Sequence, residues 1–343
     1  MSLKRLGFFS RLLDDVPAGE RYRLAEEQIV HAERMGLETA WVAQHHFDAA
    51  EGGLPAPMVF LAHVAARTSR IRLGTGIITL PLESAVRVAE DTAVLDLMSG
   101  GRLEIGLGTG GTPSSYPAFG LDNSDRAGIY ARALSTLRAA WRGDALGGSP
   151  NRLYPAAPQL DGRVWQATFS VEGGRRAGAA GDGLMLSRTQ PRTAEAPNAT
   201  LADIQDPIID AYLGALPSGV APRILGSRSV FIADDAAEAR RFAEIGLRRF
   251  VKRISEIGRA APQGPLDDII KAFDANLGTP EQVIESLSAD TTLERCTDVA
   301  VQVHSVDPPH PFILRSIELF ATVVAPALGW AQDATPRARR TGT

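Results

Sequence analysis

Six histidines and a single cysteine in 343 residues leave few positions able to carry acid–base, nucleophilic or metal chemistry. Gln44-His45-His46-Phe47 places two of those histidines side by side, directly after the strand-like run Thr39 to Ala43. Neighbouring residues on an extended segment point in opposite directions, so only one imidazole can readily face a site. This argues against a two-histidine metal centre, and neither H-x-H nor H-E-x-x-H spacing occurs in the chain. One imidazole at the end of a strand suits hydrogen bonding or proton transfer; the alternative is a hydrogen-bonded structural pair.

Two glycine-rich segments are the other candidates. Gly106-Leu107-Gly108-Thr109-Gly110-Gly111 matches G-x-G-x-x-G as a string, but a dinucleotide fingerprint opens a helix in the first βα unit. Here the string lies in the fourth unit, and Thr112-Pro113-Ser114-Ser115-Tyr116-Pro117, where no helix is expected to start, follows it. The better reading is a glycine-lined mouth where backbone closely approaches a flat ligand. Ser170-Val171-Glu172-Gly173-Gly174 places a capping serine before a helix whose first-turn glycines leave N–H groups uncovered, an arrangement suited to phosphate. Arg126, opening an earlier helix, can offer a bidentate guanidinium to the same phosphate; the plainer alternative is a capped helix and a solvated arginine. His304 ends the last strand and is a second, weaker site candidate. His31 and His63 sit on outer helices, His310 precedes Pro311 at a helix start, and Cys296 has no base beside it. No G-x-S-x-G elbow, P-loop or carboxylate pair is present.

The elements that must position these residues alternate along the chain. Strand-like runs at 5–10, 39–43, 71–79, 102–107, 164–169, 183–186, 224–233 and 298–304 are each followed by a helix-like segment. Eight βα units in series predict a single α/β domain, a (β/α)8 TIM barrel over residues 1–330, with long loop insertions at its C-terminal rim. The insertions are 143–162, 187–200 and 261–293, the last with short helices of its own, and 331–343 reads as a disordered tail. Lys plus Arg total 36 against 40 Asp plus Glu, a net charge of −4 without a basic block, which speaks against nucleic acid and anionic membranes as partners. One cysteine excludes an internal disulfide or a multi-thiolate metal site. No apolar stretch approaches a membrane span and no leader pattern opens the chain, so a cytoplasmic protein is expected.

Three stretches resemble the bacterial luciferase-like family of flavin-dependent monooxygenases: QHHF at 44–47, RVAEDTAVLDLMSGGRLEIGLGTG at 87–110 and ATFSVEGGRRAGAAGDGLMLS at 167–187. Gly278-Thr279-Pro280-Glu281 and LRSIELFATVVAPAL at 314–328 extend the resemblance to the C-terminal half. The resemblance implies a (β/α)8 barrel, reduced FMN bound at the C-terminal rim, a separate flavin reductase that supplies it, dioxygen, a small organic substrate, and a homodimer formed through the helices of the second and third units. It makes His45 the catalytic histidine and puts a non-proline cis peptide at Gly76-Ile77, beneath a flavin ring lying across Thr75, Gly76 and Ile77. Gly108, Thr109 and Gly110 would border the ring; Arg126, Ser170, Val171, Gly173 and Gly174 match the phosphate cradle. A deazaflavin-dependent dehydrogenase or reductase shares the barrel and phosphate loop, and a flavin carrier without turnover is the non-enzymatic alternative. The chain departs from the family at Gln44, where a Glu is frequent. It also departs at Thr109 and Ser84, where luciferase has an arginine and a histidine; these changes weigh against light emission and an aldehyde substrate. The substrate pocket is expected between 112–119 and 187–201, with a lid from Ser187 onward that orders on ligand binding.

Overall fold

The computed structural model describes residues 3–193, 195–256 and 260–331. In chain order the elements are β1 (Arg5–Ser10), α1 (Ala18–Arg34), β2 (Thr39–Val42), α2 (Pro57–Ala65), β3 (Arg72–Thr75), β4 (Ile78–Thr79), α3 (Ala85–Met98), β5 (Leu103–Gly108), α4 (Arg126–Arg142), β6 (Val164–Ala167), α5 (Val171–Ala179) and β7 (Gly183–Leu186). There follow α6 (Leu201–Ala215), β8 (Ile224–Ile232), α7 (Ala236–Glu256), α8 (Leu266–Ala272), β9 (Ala275–Gly278), α9 (Pro280–Ser288), α10 (Thr291–Arg295), β10 (Asp298–Gln302) and α11 (His310–Leu319). Strands β1, β2, β3, β5, β6, β7, β8 and β10 pair in parallel and close on themselves through β10–β1 and β10–β8. This is the (β/α)8 barrel that the eight units predict. The tail expected from 331 onward falls, beyond Ala331, outside the described residues.

Two tryptophans fill the barrel's middle. Trp41 of β2 and Trp165 of β6 meet edge to face, centroids 5.6 Å apart, with Met185, Leu225 and Ala300 packed around them. Each ring lies against a glycine: a Cβ on Gly74 would overlap Trp41, and one on Gly183 would overlap Trp165. Below this layer Trp165 donates to Glu104 (2.8 Å), whose carboxylate also pairs with Arg5 and Arg72. Above it the partly buried Phe9, Ile77 and Ala167 form an apolar floor at the strands' C-terminal ends. Charge at one end and an open apolar surface at the other match the usual division of such barrels into a stabilising and a functional face.

The structure departs from the sequence reading in three places. The run 71–79 is not one strand: β3 stops at Thr75, the Gly76–Ile77 peptide is cis, and β4 resumes the pairing with β5 at Ile78 and Thr79. At the break the Thr75 hydroxyl takes over the ladder, donating to Gly106 O and accepting from Gly106 N, both at 2.9 Å. A short helix does start inside the proline-bearing stretch: Pro113–Phe119 is 3₁₀, with Pro113 in the first turn, where its missing N–H is not needed. The 261–293 insertion carries not only helices but the strand β9, which extends the outer half of β8 from Ser229 to Ile232. There Phe231, Phe242, Leu247, Ile269 and Phe273 make a second small core beside the barrel. In its described part the 187–200 segment carries ordered contacts. Arg192 pairs with Asp274 at 2.6 Å, and a reciprocal Thr200–Asp203 capping box starts α6.

Candidate active site

The C-terminal ends of β1, β2, β7 and β10 bring together side chains far apart in sequence. Arg11 follows β1 by one residue, and its Nη2 lies 3.1 Å from His45 Nε2 in the loop after β2. An arginine only donates, so Nε2 accepts and the neutral His45 ring carries its proton on Nδ1. That Nδ1 is buried without a partner, and Gly52 packs against it so closely that a Cβ there would overlap the ring. Burial, then the neighbouring Arg11 guanidinium, holds His45 well below the usual histidine value. His46 turns away and packs edge-on against Phe119 at 5.0 Å. The two imidazoles therefore diverge, as an extended segment requires.

His304, two residues beyond β10, joins the same cluster. Its Nδ1 lies 2.9 Å from Asp307 Oδ2, its Nε2 is buried without a partner, and its ring meets Phe250 edge-on at 4.9 Å. Burial pushes its pKa down to about 3, against the pull of Asp307. Burial alone would raise the Asp307 carboxyl, but His304 and nearby arginines outweigh it and hold it low. Both His45 and His304 are thus neutral at pH 7. An unfolded histidine titrates near 6.5, so between 6.5 and the folded values the unfolded chain binds protons that the folded chain refuses. Stability is expected to fall as pH drops below about 6.5. In melting curves from pH 8 to 4, His304→Gln should show a shallower acid slope than the parent; equal slopes would remove His304 as a contributor.

Gln44 is buried and ties three segments: its Oε1 accepts from Thr79 N (2.7 Å), and its Nε2 donates to Glu83 Oε1 (2.6 Å) and Pro55 O (3.1 Å). The carboxylate that the sequence seemed to lose at position 44 is therefore present nearby as Glu83. Thr75 is fully buried with its hydroxyl committed to Gly106, while Ile77 contributes to the floor. A Cβ on Gly108 would press on Ile77, and one on Gly110 would overlap Thr79. Thr109 presents its carbonyl to the Tyr116 hydroxyl at 2.6 Å.

Ser170 caps α5 as its sequence suggests, but the cap corrects the expectation for the glycines. Gly173 N donates to Ser170 Oγ (3.1 Å) and Gly174 N to Ser170 O (3.0 Å), so these N–H groups are used. Glycine is needed there for packing instead: a Cβ on Gly173 would overlap Thr168, and one on Gly174 would press on the Ile208 carbonyl of α6. The N–H groups of Val171 and Glu172 have no partner among the described residues and lie at an exposed helix start, open to an anion. Arg126 is exposed at the start of α4, 3.5 Å from Asn123 Oδ1, and makes no hydrogen bond to the Ser170 loop.

Sequence reasoning passed over Arg11, Glu83, Arg188 and Asp307. Arg11 and Arg188 lie within two residues of a strand's C-terminal end, a signal readable once the strands are drawn. Glu83 and Asp307 are brought in by tertiary structure alone. Among the described residues no three His, Cys, Asp or Glu side chains gather as a metal site would need, and no helix is long and apolar enough to cross a membrane.

The family model for luciferase-like monooxygenases matches residues 7–293. Limonene 1,2-monooxygenase of Rhodococcus erythropolis is 26% identical over 324 residues, covering 91% of this chain and 82% of that protein. The crystal structure of monooxygenase RslO1 from Streptomyces bottropensis aligns with a TM-score of 0.75 over 92% of this chain and 97% of that one, at 24% identity. The oxygenating constituent of 3,6-diketocamphane monooxygenase from Pseudomonas putida, a type II Baeyer–Villiger monooxygenase solved with FMN, gives 0.72 over 95% and 98%, at 19% identity. At these identities the two structures speak for the shared fold.

Proposed function

The chain belongs to the luciferase-like monooxygenase family, and from that premise we propose that it takes reduced FMN from a separate reductase and uses dioxygen to oxygenate a small organic substrate. The observation that carries this reading is the barrel mouth. An apolar floor of Phe9, Ile77 and Ala167 lies at the same rim as buried polar atoms on Arg11, His45 and His304 that have no partner among the described residues. A flat ring with apolar faces and a polar edge fits that combination, whereas a wholly apolar ligand would leave the polar atoms unpaired.

In this reading the ring lies over Thr75, Gly76 and Ile77 and is bordered by Gly108, Thr109 and Gly110. The phosphate is received by the free N–H groups of Val171 and Glu172 and by Ser170, with Gly173 and Gly174 shaping the turn and Arg126 swinging in from α4. When bound, the reduced flavin supplies the electrons that activate dioxygen, one oxygen atom entering the substrate and the other leaving as water. His45 serves proton transfer at the reacting centre, with Arg11 holding its Nε2 and fixing the tautomer. The described part of the 187–200 segment is assigned to covering the mouth and excluding water. The homodimer we assign to α2 and α3 is supported by their exposed apolar side chains, Val59, Val94, Leu97 and Met98. A cytoplasmic location accords with a reductase partner.

Stopped-flow mixing of stoichiometric FMNH₂ with oxygenated buffer tests the cofactor. The protein is expected to slow flavin reoxidation and to split it into more than one phase. Reoxidation identical with and without protein would overturn FMNH₂ as the working cofactor and shift the assignment to a deazaflavin.

A further inference from the structure

The rim after β7, the strand next to β6 and its phosphate cradle, holds a charge with no partner among the described residues. Arg188 lies two residues beyond β7 and is only 6% exposed, yet its guanidinium makes no hydrogen bond or ion pair among the described residues. Its one ring contact is with Phe250, whose centroid is 5.9 Å away. Phe250 packs in turn on Phe273, at 5.0 Å, so the guanidinium borders an aromatic wall. Burial draws Arg188 down to about 9, which leaves it a cation at pH 7.

The two carboxylates within electrostatic range pair with other groups and make no hydrogen bond or ion pair with Arg188, although Asp274 Oδ2 has no partner among the described residues. Asp274 Oδ1 takes Arg192 at 2.6 Å, and Asp307 Oδ2 takes His304. The neighbouring guanidinium of Arg11 is held by His45 and the Glu51 carbonyl, and the Glu51 carboxylate accepts from Thr112. A buried guanidinium left unpaired is costly, and its planar fork matches a carboxylate. The Gln190 amide, through both Nε2 and Oε1, and the Ser305 hydroxyl are further buried polar groups without partners among the described residues.

We propose that Arg188 is the anion anchor of the substrate site, and that the substrate is an otherwise apolar organic acid whose carboxylate pairs with this guanidinium while its body lies along Phe250. This deepens the function proposed above and rests on it for the chemistry performed on the bound acid. The binding step itself needs neither flavin nor dioxygen.

The test uses the full chain and two pairs of probes at fixed ionic strength: benzoate with benzamide, and octanoate with octanamide. Calorimetric titration is expected to show at least one carboxylate binding saturably, about tenfold or more tighter than its amide. Arg188→Met should abolish that preference, yet melt at or above the parent temperature without ligand, because it removes an unpaired buried charge. Saturating FMN should leave carboxylate affinity unchanged. The proposal is overturned by no preference for carboxylate in the parent, by a preference that survives in Arg188→Met, or by a marked fall in that variant's melting temperature. Competition between FMN and the carboxylate would also overturn it, by assigning Arg188 to the cofactor. Failure of the FMN reading alone would show in the reoxidation experiment and leave these titrations untouched.

Discussion

Replacing His45 with alanine is expected to lower oxygenation by about 10²–10⁴-fold while leaving flavin affinity nearly unchanged. The imidazole takes no part in the phosphate cradle at Ser170, Val171 and Glu172, and its ordered partner is Arg11. Loading the protein anaerobically with FMNH₂ separates the two quantities: titration gives affinity, and product yield after oxygen is admitted gives chemistry. A variant that loses flavin binding but keeps normal residual turnover would reverse the assigned role. Arg11 is a positioning residue in this account, so its readout is a pH profile. Its guanidinium is one cause of the depressed His45 pKa, second to burial. In Arg11→Met the acid limb of the profile should therefore move upward, toward the ordinary histidine value, with a smaller loss of rate at neutral pH than in His45→Ala.

Gly106→Ala is expected to be strongly damaging, costing about 3 kcal/mol or more. An added Cβ would overlap the backbone carbonyl of Thr75, not the tip of a flexible side chain. It would also disturb the two hydrogen bonds by which the Thr75 hydroxyl ties the end of β3 to β5 where the β3–β4 break begins. The proper comparison is Gly214→Ala in α6, where nothing lies within 4 Å of the new carbon. That change should stabilise by about 0.5–1 kcal/mol, since helical glycine carries an entropic penalty. Urea denaturation of both variants checks the pair. If Gly106→Ala unfolds at the parent's midpoint, the Thr75–Gly106 exchange does not hold the two strands together.

The barrel was legible because its signal is local and repeated. Each of its eight strands coincides with an apolar run read from the sequence, and each is followed by a helix close to its expected position. What escaped the reading depends on tertiary partners. The division of 71–79 hinges on one peptide, and β9 exists because the outer half of β8 offers it an edge. The same split applies to the site. Ser170 was legible because a cap is a short-range device, and His45 because it ends a strand. The glycines after Ser170 were misread because a shortage of side chain has two uses, exposing N–H groups or admitting a neighbour, and only Thr168 and Ile208 show which applies. Arg188 drew no attention in sequence, where an arginine in a polar loop reads as solvated; its burial depends on α7 and Phe250.

The interlocked pairs Trp41–Gly74 and Trp165–Gly183 bear on how such a protein can diverge. Neither tryptophan can be exchanged for a smaller residue without leaving a void beside its glycine, and neither glycine can grow while its tryptophan stays. Change in the barrel's middle must therefore come two residues at a time, through intermediates that fold poorly. Exposed rim-loop residues outside such packed pairs as Gly52–His45 and Gly173–Thr168 face no such coupling and can be replaced one by one. Descendants of this chain would therefore keep the support beneath the floor and explore new substrates from the loops above it.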